Sequence, residues 1–110
     1  MRAAIFHPAA RDAIRGFPLD VRRAVGKAIW ELQQGVRLGM PLSKSMPAVV
    51  AGAEELRVKD ASGAYRAFYY VRSKRGILIF HAFQKKTQKT PPAEINLGAR
   101  RLKELLDEER

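Results

Sequence analysis

Residues 54–90, EELRVKDASGAYRAFYYVRSKRGILIFHAFQKKTQKT, read as three short strands joined by tight turns and ending in a lysine-rich loop. They alternate in the two-residue rhythm of strands with one buried face. In the first arm Leu56 and Val58 point one way, and Glu55, Arg57 and Lys59 the other, because successive side chains leave opposite faces of a strand. Asp60, Ser62 and Gly63 supply a turn: glycine tolerates positive φ, and aspartate bonds its own backbone. The second arm, Tyr65 to Arg72, is dense in the aromatic and β-branched residues that strands favour. Ser73, Lys74, Arg75 and Gly76 turn the chain again. Ile77 to Gln84 is then a near-continuous apolar run, suited to a central strand covered on both faces. If the first two arms pair antiparallel with Leu56 and Val58 facing the core, Arg57 and Arg66 share the opposite face. A slip of one residue would separate them.

Upstream, Ala3 to His7 reads as a first or edge strand ended by Pro8, which suits the opening turn of a helix. Ala9 to Arg15 continues that helix until Gly16 and Pro18 interrupt it. His7, just before it, reads as a capping or turn residue rather than a ligand. From Leu19 to Gln34, apolar residues recur at Val21, Ala24, Val25, Ala28, Ile29 and Leu32, the spacing of one helical stripe, and Gly35 is a stop. The two helices form a hairpin packed on one face of the sheet. Residues 36–53 contain Gly39, Pro41, Pro47 and Gly52 and show no period, so a crossing loop is expected. Its Lys44 is a solvated charge or a phosphate contact at the rim of a cleft. Pro91 and Pro92 open a last helix, Ala93 to Glu109, with Ile95, Ala99, Leu102 and Leu106 near helical spacing.

The 110 residues suffice for one domain with one core. With 46% hydrophobic and 29% charged residues the chain should fold rather than stay disordered. No apolar run approaches the roughly 20 residues that cross a bilayer, and the N-terminus lacks a secretory pattern; a soluble, cytoplasmic protein is expected. There is no cysteine, which excludes disulfides and thiolate chemistry. Two histidines and scattered carboxylates show no metal-site spacing, so a mechanism without metal or other cofactor is expected. The net charge is +10, from 21 basic and 11 acidic residues, and the excess lies before the last helix. Such a balance draws polyanions, nucleic acid first.

The words Leu56-Arg57-Val58, Tyr65-Arg66 and His81-Ala82-Phe83-Gln84-Lys85-Lys86-Thr87-Gln88-Lys89-Thr90-Pro91, followed by Glu94-Ile95 and Ala99, carry a family resemblance. Together with the order of elements, the chain resembles the RelE/HigB superfamily of bacterial type II toxins, most closely its phage-derived, HigB-like branch. The lysine-rich word is the specific one; an isolated L-R-V or Y-R is weak. The resemblance covers nearly the whole chain. It implies an α+β, RelE-like domain over residues 1–110: an N-terminal strand and helical hairpin on a small, mainly antiparallel sheet, with a C-terminal helix.

The same resemblance implies an endoribonuclease that cuts mRNA on the ribosome without a metal, and a neighbouring antitoxin, often a helix-turn-helix protein, that neutralises it. Attack of a ribose 2′-OH on the adjacent phosphate needs a proton acceptor, cations around the phosphorane and a proton donor for the leaving 5′-oxygen. Arg57 and Arg66 suit the middle task, because the planar guanidinium holds two phosphate oxygens at once. Lysine serves the proton steps only when burial or neighbouring charge lowers its pKa. Lys85 and Lys86 are the candidates; if both stay on the strand only one enters the cleft, and Lys86 is favoured. His81 has a pKa suited to acid and base work, yet it sits in an apolar arm where a hydrogen-bonded structural histidine is equally expected. Lys59, Lys74, Arg75 and Lys89 are phosphate contacts or ordinary solvated charges. Tyr70, with Tyr65 and Tyr69, stacks a base or belongs to the core.

One departure stands out. The best-studied ribosome-dependent toxins tend to place a tyrosine or histidine near the C-terminus, whereas here no tyrosine follows Tyr70 and no histidine follows His81. This leaves the general acid and base open. Two alternatives remain: a toxin of the same scaffold that poisons a protein such as DNA gyrase, as relatives resembling ParE do, and a phage-derived nucleic-acid-binding module without catalysis.

Overall fold

In the computed structural model, which describes residues 1–109, the elements follow one another as β1 (Ala4–Phe6), α1 (Pro8–Arg15), α2 (Leu19–Gln33), β2 (Ser43–Ser45), β3 (Ala53–Asp60), β4 (Gly63–Tyr70), β5 (Ile77–Lys85) and α3 (Pro92–Asp107). The strands form one sheet in the order β1-β5-β4-β3-β2. β1 runs parallel to β5, and every other neighbouring pair is antiparallel. This is the α+β, RelE-like arrangement expected. Among the described residues no helix is long and apolar enough to cross a membrane.

The alternation of β3 is realised as read. Leu56 and Val58 join the core under the helical hairpin, where Val21, Val25, Ile29 and Leu32 of α2 meet Tyr65, Tyr69, Ile77 and Ile79 of the sheet. Arg57 lies directly opposite Arg66 in the β3–β4 register, so the two guanidinium groups share the other face. On that face Phe68, Leu78, Phe80 and Phe83 pack against Leu102 and Leu105 of α3. Gly98 permits the approach of α3: a Cβ there would sit 2.8 Å from the Phe68 ring.

A β-bulge sets the end of this packing. Phe68 pairs with His81 but Tyr69 pairs with Ile79, so Phe80 has no partner on β4. The extra residue turns the adjacent Phe80 and His81 toward the same side, Phe80 into the apolar cluster and His81 onto Glu94 and Arg101 of α3. Toward the Asp60–Gly63 turn this face becomes charged: Arg57 and Arg66 lie in the row of Phe83, and Lys59 and Lys85 in the row beyond it.

His7 is the N-cap of α1, its Nδ1 accepting the N–H of Ala9 at 3.1 Å. Two readings need correction. Residues 36–53 contain the edge strand β2, which pairs with β3 through Ser43–Leu56, Lys44–Glu55 and Ser45–Glu54. Its sequence, Ser-Lys-Ser, has no apolar alternation to betray it. The third arm also extends one residue beyond Gln84, to Lys85, and that residue bears on the site.

Candidate active site

Glu55 is the centre of the charged patch. It lies on β3 between Lys44 of β2 and Phe68 of β4, and it is 2% exposed. An ionised carboxylate persists at such a position only when compensated. Its Oε1 is 3.5 Å from Arg66 Nε and 3.9 Å from Arg57 Nε. Its Oε2 accepts a hydrogen bond from Thr90 Oγ1 at 2.9 Å. The arginines are themselves partly enclosed: the Arg66 side chain is 8% exposed and that of Arg57 30%. Arg66 Nη1 donates to the Tyr65 carbonyl at 3.1 Å. Both Nε atoms are buried without a hydrogen-bond acceptor, so Glu55 supplies charge but leaves donor capacity unused.

Lys85 completes the group. It pairs with Ala64, which pairs with Lys59, so Lys59 and Lys85 lie in the row next to Arg57 and Arg66. Partial burial, reinforced by Arg66, Arg57 and Lys44 and opposed by Glu55, lowers the Lys85 pKa below that of an ordinary lysine. Burial, with Arg57 adding to it and Glu55 opposing it, also lowers that of Arg66; a guanidinium remains charged regardless. Lys44, Arg57, Arg66 and Lys85 thus face a single carboxylate. A patch with excess fixed cations and a solvent-facing edge is suited to a phosphate group.

The structure separates the other sequence-derived candidates. Lys86 follows the last residue of β5 and is exposed; Lys85, rather than the favoured Lys86, shares the arginine face. Lys89 is exposed in the same loop, and its carbonyl accepts from Thr87 Oγ1. Lys74 and Arg75 lie in the β4–β5 turn, at the end of the meander away from Lys85. Arg75 is engaged there by Glu108, Glu109 and the Leu105 carbonyl, so it anchors the end of α3 and does not join the patch. Tyr70 packs beside the apolar cluster under α3. Tyr65 and Tyr69 belong to the hairpin core, and the Tyr69 hydroxyl meets Ser43 Oγ at 2.5 Å.

His81 has a structural setting. It is 2% exposed and in ring contact with Phe68 and Phe83. Arg101 Nη1 lies 2.8 Å from its Nδ1, and Glu94 Oε1 lies 2.8 Å from its Nε2. Arginine can only donate, so Nδ1 is the acceptor and Nε2–H donates to Glu94. Burial lowers the His81 pKa from 6.5; the bond and charge of Glu94 oppose this, while the charges of Arg101 and His7 add to it. Because the folded pKa lies below the unfolded one, the unfolded chain binds more protons between the two values. Stability is therefore full above about pH 6.5 and falls as pH drops through the interval below it. Thermal melts at pH 7.5 and 5.5 should show a larger acid-induced loss for the wild type than for His81→Gln. Equal losses would remove this account of His81.

Two members of the site were not singled out in the sequence, Glu55 and Thr90. The signal for Glu55 was present, since it lies two residues before Arg57 on the same face of a strand. Thr90 is 35 residues from Glu55, and only the return of the chain from β5 brings them together.

The family model described as "Phage derived protein Gp49-like (DUF891)" matches residues 12–103, a span that includes Glu55, Arg57, Arg66, Lys85 and Thr90. A comparison with curated proteins gives no match. The chain belongs to the phage-derived Gp49-like family, in the RelE/Gp49 group of toxin–antitoxin toxins.

Proposed function

We propose that the protein is the toxin of a type II toxin–antitoxin pair and an endoribonuclease acting on translated message, in the manner of the HigB-like toxins. The observation that carries this reading is the convergence of Arg57, Arg66 and Lys85 around buried Glu55. The ribose 2′-oxygen attacks the adjacent phosphorus and the bond from phosphorus to the 5′-oxygen breaks, leaving a 2′,3′-cyclic phosphate and a 5′-hydroxyl. Arg57 and Arg66 hold the non-bridging oxygens as charge grows on them. Lys85 is the proton-transfer group: as a neutral amine it takes the 2′-hydroxyl proton, and as an ammonium it returns one to the 5′-oxygen. Its lowered pKa increases the neutral fraction that the first step requires.

Lys44, Lys59, Lys86 and Lys89 contact phosphates along the strand without touching the scissile one. The partner is an antitoxin, for which family membership and the +10 charge are the support; a helix-turn-helix protein encoded next to this gene is the expected form. Replacing Lys85 by Met should lower cleavage about 100-fold, the scale of a lost acid–base group. Lys86→Met, which removes a peripheral phosphate contact, should change it by no more than about threefold. Primer extension on message from a translating extract measures both, and the opposite ranking would assign the proton step to Lys86.

A further inference from the structure

We propose that Thr90 is a positioning residue that couples the lysine-rich loop to the arginine pair through Glu55; the inference rests on the cleavage reading above. The chain leaves β5 at Lys85, passes through Lys86 to Lys89, and enters α3 at Pro92. Four of the loop's residues, Lys86, Thr87, Gln88 and Lys89, are exposed, whereas Thr90 is half-buried. Its hydroxyl donates to Glu55 Oε2 at 2.9 Å, a side-chain bond that ties the loop to β3, two strands away from β5 in the sheet.

The other oxygen of the same carboxylate faces Arg66 Nε at 3.5 Å and Arg57 Nε at 3.9 Å. A carboxylate has acceptor sites on both oxygens, and fixing Oε2 fixes the plane in which Oε1 meets the two cations. Arg66 is restrained further by the Tyr65 carbonyl on Nη1. Arg57 is restrained on its backbone, its N–H donating to the Leu42 carbonyl at 2.8 Å. With each Nε turned toward Glu55, Arg66 Nη1 on the Tyr65 carbonyl and Arg57 Nη1 3.9 Å from Met40 Sδ, the Nη2 groups are the parts left to meet a ligand. Thr90 therefore acts in two directions from one hydroxyl: it sets the rotamer of Glu55 under the arginines, and it holds the chain carrying Lys86 and Lys89 beside them. Without the hydroxyl, Glu55 stays buried among cations and keeps its charge compensation, so the fold survives; the loop loses its tie to the sheet, and the arginines lose a fixed counter-charge. Positional errors of this kind act on the transition state more than on ground-state binding.

The test compares wild type, Thr90→Val and Thr90→Ser. Valine keeps the shape without the hydroxyl, and serine restores it. Three readouts are taken: hydrogen exchange of the 86–90 amides, affinity for a 2′-O-methyl RNA oligonucleotide that cannot be cut, and message cleavage in a translating extract. Thr90→Val should melt within a few degrees of wild type, exchange faster at residues 86–90, bind the oligonucleotide within about threefold of wild type and cleave about tenfold more slowly. Thr90→Ser should return both exchange and cleavage toward wild type. Unchanged exchange and cleavage in Thr90→Val would overturn the coupling, as would slowed cleavage that serine does not rescue. If the wild type cuts no message, the cleavage reading fails by itself. The exchange comparison still decides whether Thr90 fastens the loop.

Discussion

Replacing Arg66 should abolish detectable cleavage and also weaken the fold, and the two effects can be separated. Arg66→Ala removes a side chain that is 8% exposed and takes from Glu55, whose side chain is 3% exposed, the nearer of its two arginine partners, leaving Arg57 at 3.9 Å with the charge of Lys85. Breaking a buried ion pair from one side costs about 3–5 kcal/mol, because the remaining charge has lost its compensation. Arg66→Lys keeps a cation beside Glu55 and should recover most of that stability. It lacks the planar fork that grips two phosphate oxygens. Cleavage by the folded lysine variant should therefore still fall by about 100- to 1,000-fold, the loss seen when one donor to a developing oxyanion is removed. Urea unfolding and primer extension on the same preparations provide the comparison. A lysine variant that is stable and fully active would show that Arg66 contributes charge alone.

The second large effect concerns the frame that carries the site. Gly76 precedes β5 with φ +143°, and a Cβ built there would fall 2.3 Å from the Ala3 carbonyl oxygen. That oxygen accepts the N–H of Ile77 at 2.9 Å, the bond that starts the parallel pairing of β1 with β5. Gly76→Ala meets both an unfavourable backbone region and rigid main chain, so neither can relax without moving β1. A loss of about 3 kcal/mol or more is expected, lowering the melting temperature by more than about 10 °C. A melt within about 2 °C of wild type would mean that β1 shifts freely, contrary to the register described.

The meander was legible because its three arms bury opposite faces and because Asp60–Gly63 and Ser73–Gly76 carry clear turn chemistry. That same alternation allows Arg57 and Arg66 one shared face, on a register that the β3–β4 pairing supplies. Alternation alone does not decide between Lys85 and Lys86: which of them faces the site depends on where β5 ends and on the bulge at Phe80, and a single residue reverses the outcome. Composition gives no signal for either. Alternation puts Glu55 on the face of Arg57, but it cannot tell a solvated carboxylate from one buried beside two arginines. His81 shows the converse case. Its residue type suggests acid–base work, whereas Glu94 and Arg101 occupy both ring nitrogens and fasten it to α3. β2 escaped notice because an edge strand of three polar residues is specified by its neighbour β3 rather than by its own sequence.

The central claim is that the cluster around Glu55 cuts message, and mapping RNA ends in a translating extract tests it most directly. Wild-type protein should create new 5′ ends carrying a hydroxyl. Those ends should fade together in the folded Arg66→Lys and Lys85→Met proteins. Arrest of translation with intact message, or no effect from a folded wild-type protein, would contradict the claim; arrest without cutting would direct attention to a protein target.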